Sequence, residues 1–104
     1  IGFPAQKLEE RTVETRVPGI SQTLRKQLVG FINEVRTLDL KKLPSVSETI
    51  DWARVLVLLQ ASELGHEMVK DTLNVLLKYE SDIEATLPQV STFVAKAARQ
   101  NVFG

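Results

Sequence analysis

The sequence contains no cysteine and a single histidine, His66, among 104 residues. Without cysteine there is no disulfide, no thiol nucleophile and no thiolate metal site. One histidine excludes the zinc motifs that are built on paired histidines. The lack of cysteine also agrees with a cytoplasmic location, where thiols stay reduced. The chain therefore has few of the side chains with which proteins hold metals or build nucleophiles.

An excess of charge is also missing. Thirteen Lys and Arg residues balance thirteen Asp and Glu residues, so we predict neither a nucleic-acid partner nor electrostatic attraction to an anionic membrane. The longest apolar run, VLVLL at 55–59, is far too short to span a bilayer. We see no signal peptide. With 43% hydrophobic and 25% charged residues, the composition indicates an ordinary soluble globular domain.

Signatures of catalysis are equally scarce. The glycines form neither GxxxxGK[ST] nor GxGxxG, so the chain contains no phosphate-binding loop. Carboxylates cluster at 9–10 and 80–84, where we interpret them as solvated charge on loops and outer helix faces. The serines have no nearby candidate base, and we expect His66, beside Gly65, to be a surface turn or cap residue. We therefore predict no catalytic residue, no metal site and no enzyme activity for this chain.

Helical periodicity is what the sequence does contain. Apolar residues recur every three to four positions in several segments, whereas no segment of useful length alternates as a strand would. We therefore predict an all-α fold, a small helical bundle. The predicted helices cover approximately 5–15, 21–38, 45–60, 69–80 and a last segment that begins near Pro88.

The segment PSVSETIDWARVLVLLQ, at 44–60, has the clearest helix start. Ser45 is a predicted N-cap, and Glu48, three residues later, completes a capping box. The following apolar residues cover more than one face, so we predict that this helix is central and packed on several sides. Elementary physical chemistry favours a core role for Trp52. It does not decide whether Arg54 is a surface cation or a functional residue. The alternative turns the helix start toward a nucleotide or a neighbouring subunit, because exposed helix amides suit anions.

The order of the residues is more specific than their periodicity. The segments LDLKKLPSVSETIDWAR, at 38–54, and DTLNVLLKYESDIE, at 71–84, resemble the C-terminal lid region of MoxR-type AAA+ ATPases. The similarity is closest to the branch linked with carbon-monoxide-dehydrogenase maturation, and VPGIS, at 17–21, supports it. It extends over approximately 2–85, so the final helix lies outside it.

This resemblance implies a helical lid domain at 5–86, a C-terminal helical extension at 87–104, and a remnant of a preceding α/β ATPase domain at 1–4, with about five helices in all. In that family the lid covers the ATP that the α/β domain binds with Mg²⁺. Hydrolysis moves the lid, usually within a hexameric ring, and drives remodelling or maturation of a client protein. The implied partners are the upstream ATPase domain, neighbouring ring subunits and a von Willebrand factor A domain protein.

The resemblance also implies which residues would face a bound nucleotide. AAA+ lids often carry a sensor-2 arginine in the first turn of the helix that corresponds to 45–60. That turn has no arginine here, and Arg54 lies too far along the helix to be given the role. Ser47, Glu48 and Thr49 remain the candidate nucleotide-facing residues. The catalytic motifs belong to the upstream domain, so this chain has no cofactor of its own. The alternative function is a free-standing helical interaction module that binds a partner helix in a groove.

Overall fold

The fold is all-α, as the periodicity predicts. A computed structural model describes the backbone of residues 5–103 and the side chains of residues 5–99. Within this range there is no strand. The helices are α1 (Ala5–Arg16), α2 (Gln22–Val35), α3 (Val46–Leu58), α4 (His66–Leu76), α5 (Glu80–Thr86) and α6 (Val90–Phe103), with a 3-10 turn over Leu87–Gln89. The predicted small helical bundle with a C-terminal helix is confirmed. The predicted domain remnant at 1–4 lies outside the described residues.

The most completely buried helix is α2, which packs against α1, α3 and α6. Its buried apolar side chains are Leu24, Leu28, Val29, Phe31, Ile32 and Val35. The predicted central helix, α3, does pack on several sides, since it contacts α1, α2 and α4. Its last turn nevertheless reaches the surface, where Leu58 is 81% exposed. The apolar run in the sequence did not distinguish the buried part of α3 from its exposed end.

An aromatic cluster joins three helices at the centre of the core. Trp52 of α3 is fully buried, and its ring centroid lies 5.5 Å from that of Phe31 on α2. Phe93 of α6 meets Phe31 edge-on, with 6.2 Å between the ring centroids. The indole Nε1–H of Trp52 donates to Thr72 Oγ1 on α4 over 2.7 Å. The predicted core role of Trp52 is confirmed, and α6 shares the same core.

The helix starts follow local side-chain chemistry to different degrees. Ser21 and Ser45 both cap their helices as predicted, since each hydroxyl accepts a backbone N–H three residues later. Helix α4 begins at His66, earlier than predicted, because Gly65 is its N-cap in extended backbone. Helix α5 was not among the predicted segments. Its buried residues are Asp82 and Thr86, so it shows no apolar periodicity.

Asp82 fixes the loop between α2 and α3. We predicted solvated charge at 80–84, and this is wrong for Asp82, which is 3% exposed. Its Oδ1 accepts the backbone N–H of Lys41 over 2.9 Å, and its Oδ2 accepts that of Lys42 over 3.1 Å. The hydroxyl of Thr86 donates to the Asp82 carbonyl over 2.8 Å. A carboxylate is buried here because backbone amides replace its hydration.

We expect Asp82→Ala to lower the free energy of unfolding by about 1–3 kcal/mol, because the amides of Lys41 and Lys42 lose their acceptor. Urea unfolding followed by circular dichroism measures the loss. The matched control is Glu84→Ala, since Glu84 lies on the same helix and is exposed. Equal losses in the two variants would show that the loop does not depend on the Asp82 carboxylate.

Candidate functional site

The start of α3, which contains the predicted site residues, is closed by a complete capping box. The Ser45 hydroxyl accepts the backbone N–H of Glu48 over 3.4 Å. In return, Glu48 Oε1 accepts the backbone N–H of Ser45 over 2.8 Å and its hydroxyl over 3.0 Å. The predicted cap is confirmed. The Glu48 side chain is therefore directed back onto its own helix start.

The charge of Glu48 is satisfied within the protein. Its Oε2 lies 3.0 Å from Lys42 Nζ and 3.5 Å from Lys78 Nζ, and the residue is 7% exposed. Burial alone would raise the pKa of Glu48. The hydrogen bonds from the Ser45 N–H, from Lys42 and from the Ser45 hydroxyl, with the charge of Lys42, outweigh burial and lower the pKa to about 2. Glu48 is thus ionised at any physiological pH.

We expect this carboxylate to stabilise the fold in a pH-dependent way. Because its pKa is about 2 in the folded protein against a usual 4.5, its stabilisation is fully present above about pH 4.5 and is lost as the pH falls toward 2. The expected size is about 1–2 kcal/mol, since solvent around the exposed lysines screens the pair. The measurement is the difference in free energy of unfolding between the wild type and Glu48→Gln at about pH 6 and pH 3. A difference that does not shrink at low pH contradicts this expectation.

The three predicted nucleotide-facing residues differ in their surroundings. Thr49 is fully buried, and its hydroxyl lies 2.8 Å from Glu9 Oε2 and 3.1 Å from the Ser45 carbonyl oxygen. Glu48 is engaged by the capping box and the two lysines. Only Ser47 of the three is exposed. A nucleotide-facing role stays a prediction for all three, and Ser47 is the one with an accessible side chain.

An ion pair with a buried carboxylate lies beside this helix start. Arg36 binds Glu9 through its two terminal guanidinium nitrogens, with Nη1 to Oε1 at 2.6 Å and Nη2 to Oε2 at 2.8 Å. Arg36 also donates to the Pro44 carbonyl over 3.0 Å and to Asn33 Oδ1 over 3.3 Å. We predicted solvated charge at 9–10, and this is wrong for Glu9, which is 6% exposed. The pair joins α1 to the end of α2, and Thr49 adds α3.

A second polar arrangement corrects the expectation that the serines lack a base. Ser91 Oγ lies 3.1 Å from His66 Nε2, and His66 Nδ1 lies 3.9 Å from Glu67 Oε2. The carboxylate is too far away to orient the imidazole by a hydrogen bond, as a catalytic triad requires. All three side chains are exposed. The contact connects the start of α4 to the start of α6, and we assign it no chemistry.

Neither the other side chains of the described residues nor comparisons with known proteins point to a further candidate functional site. Within the described part of the chain, no group of three or more His, Cys, Asp or Glu side chains could hold a metal ion. None of the helices described there has the length and apolar character that crossing a membrane requires. Comparison with protein-family models, with curated proteins and with solved structures finds no match for the chain. The surface around the start of α3, where the predicted nucleotide-facing residues lie, stays the candidate site.

Proposed function

We propose that the chain is the lid domain of a MoxR-type AAA+ ATPase. In this proposal an upstream α/β domain binds ATP and Mg²⁺, and the lid couples its ATP cycle to remodelling or maturation of a client protein. The parent protein acts in the cytoplasm as a hexameric ring. Neighbouring subunits and a von Willebrand factor A domain protein are its further partners. The lid itself carries out no catalysis.

The observation that supports this proposal is that the two most family-like segments meet in space. Asp82 of the segment at 71–84 accepts the backbone amides of Lys41 and Lys42 in the segment at 38–54. Lys78 of the former also lies 3.5 Å from Glu48 of the latter. The two segments on which the resemblance depends therefore contact each other next to the start of α3.

The surface around this helix start also suits contact with another domain. Leu43 is 43% exposed and Val46 is 44% exposed on either side of Ser45. Tyr79 is exposed as well, with Lys41 Nζ 5.6 Å from its ring centroid. Exposed apolar side chains next to polar groups are typical of interaction surfaces. Under the proposal, this face is directed toward the ATP-binding domain, with Ser47 nearest to the nucleotide.

We expect Ser47→Glu to weaken ATP binding by the full-length protein roughly tenfold, since a carboxylate placed near the phosphates repels them. A negative charge in the first turn favours the helix, so the fold tolerates the change. The matched control is Ser91→Glu, which adds the same charge to an exposed serine near the start of α6. Fluorescent-nucleotide titration measures both dissociation constants. Unchanged binding in Ser47→Glu would contradict the proposed orientation of the lid.

The alternative is a free-standing helical interaction module. It is favoured by the exposed leucines at the end of α3, where Leu58 is 81% and Leu59 is 53% exposed. Such a pair suits the apolar face of a partner helix. The titration separates the two functions, because a full-length protein that binds no ATP would support the module and contradict the lid.

A further inference from the structure

Helix α1 is attached to the rest of the bundle largely by polar side chains. Only Glu9 and Val13 are buried among its twelve residues. Val13 and Val17, which directly follows the helix, are what this segment contributes to the hydrophobic core. By contrast, α2 buries six large apolar side chains. The burial of apolar area therefore contributes less to the docking of α1 and Val17 than to the docking of α2.

Polar contacts hold α1 in place. The strongest is the bidentate pair between Glu9 and Arg36, which the Thr49 hydroxyl supports. In addition, Asn33 Nδ2 donates to Gln6 Oε1 over 3.1 Å. At the other end of the helix, Glu14 Oε2 lies 3.3 Å from Arg25 Nη1. When α1 is released, water replaces the protein partners of these polar side chains. The free-energy cost of release is therefore lower than for apolar packing of the same extent.

The connection between α1 and α2 contains residues that allow the backbone to change direction. Helix α1 ends at Arg16, and the next helix begins at Gln22. Between them Pro18 and Gly19 are exposed, and Gly19 has φ +92°, a backbone conformation that glycine adopts without strain. A twelve-residue helix that leaves its docking site is only marginally stable in water. Docking therefore determines both the position and the order of α1.

We propose that α1, together with Val17, is a releasable strap that undocks as a unit from the bundle of α2–α6, with the Glu9–Arg36 pair setting the balance between the docked and released states. Release at Pro18–Gly19 uncovers a notch formed by the Arg36 guanidinium and the Thr49 hydroxyl, whose resident ligand is the Glu9 carboxylate. Arg36 is already 26% exposed, so water reaches it without unfolding of the bundle. This inference does not depend on the proposed lid function.

Hydrogen exchange of the full chain, resolved by segment, tests the strap. In the wild type we expect the amides of α1 to exchange through an opening that requires less denaturant than that of α2 and α3. Glu9→Gln should speed exchange in α1 roughly tenfold, while the rates in α2, α3 and α6 change less than about twofold. The matched control is Glu10→Gln, which removes one charge from the same helix but not from Arg36, and it should leave all rates within about twofold.

Two results in Glu9→Gln, and one in the wild type, would overturn the strap. If Glu9→Gln speeds exchange equally in all helices, or unfolds the whole chain, α1 belongs to the same cooperative unit as the bundle. If exchange in α1 does not change, the Glu9–Arg36 pair does not hold it. The wild-type exchange at low denaturant gives an independent result, because equal opening free energies for α1 and α2 would also contradict separate release.

Discussion

Replacing Trp52 by alanine is expected to lower the free energy of unfolding by about 3–5 kcal/mol. The indole is fully buried and packs against Phe31, so its removal leaves a large cavity where α2, α3 and α4 meet. The total stability of a domain of this size is only about 5–15 kcal/mol. We therefore expect the variant to be marginally folded at room temperature.

The control for this prediction is Trp52→Phe, which retains an aromatic ring and removes the Nε1–H donor to Thr72. Thr72 keeps its own hydrogen bond to the Met68 carbonyl, over 2.7 Å, so the expected loss is about 1–2 kcal/mol. Urea unfolding followed by far-ultraviolet circular dichroism suits both variants, because neither retains tryptophan fluorescence. A loss below about 1 kcal/mol in Trp52→Ala would contradict the central position of this side chain.

Replacing Leu56 by alanine is expected to cost about 2–5 kcal/mol. Leu56 is fully buried in α3, a helix that packs against α1, α2 and α4. Its truncation leaves a cavity that rigid neighbouring helices fill only in part. Thermal and denaturant unfolding measure the loss. The result tests the interpretation of α3 as a core helix.

The chain offers a closely matched control for this prediction. Leu58→Ala makes the same substitution two residues later in the same helix, where the side chain is 81% exposed. We expect its free energy of unfolding to stay within about 0.5 kcal/mol of the wild type. Helix propensity cannot cause a loss in either variant, because alanine is the better helix former. Equal losses in the two variants would therefore contradict the interpretation of α3 as a core helix that buries Leu56.

The fold could be predicted from the sequence where local chemistry determines it. The Ser45 hydroxyl and Glu48 carboxylate close α3 through contacts three residues apart, and the stripe of α2 shows its buried face directly. The short helix α5 was missed because a buried aspartate, Asp82, takes the position that an apolar residue usually holds. The exposed end of α3 was missed because a run of apolar residues does not indicate whether a neighbouring helix covers each of them.

The polar sites were less predictable, because their partners are distant in sequence. Arg36 lies 27 residues from Glu9, and Lys41 lies 41 residues from Asp82. An isolated carboxylate is solvated in most helices, so no local rule selects the buried ones. One signal was available for Glu9, since it precedes Val13 and Val17 at intervals of four and therefore shares the buried face of α1.

The lid function is tested most directly by the reading frame upstream of Ile1, translated for about 200 further residues, roughly one domain. We expect a GxxxxGK[ST] loop there, after a strand and before a helix, because that loop cradles the ATP phosphates. The start of α3 would then be the face that the lid presents to this ATPase domain. An upstream sequence without the loop would contradict the lid function and leave a helical interaction module, whose partner would be sought at Leu58 and Leu59.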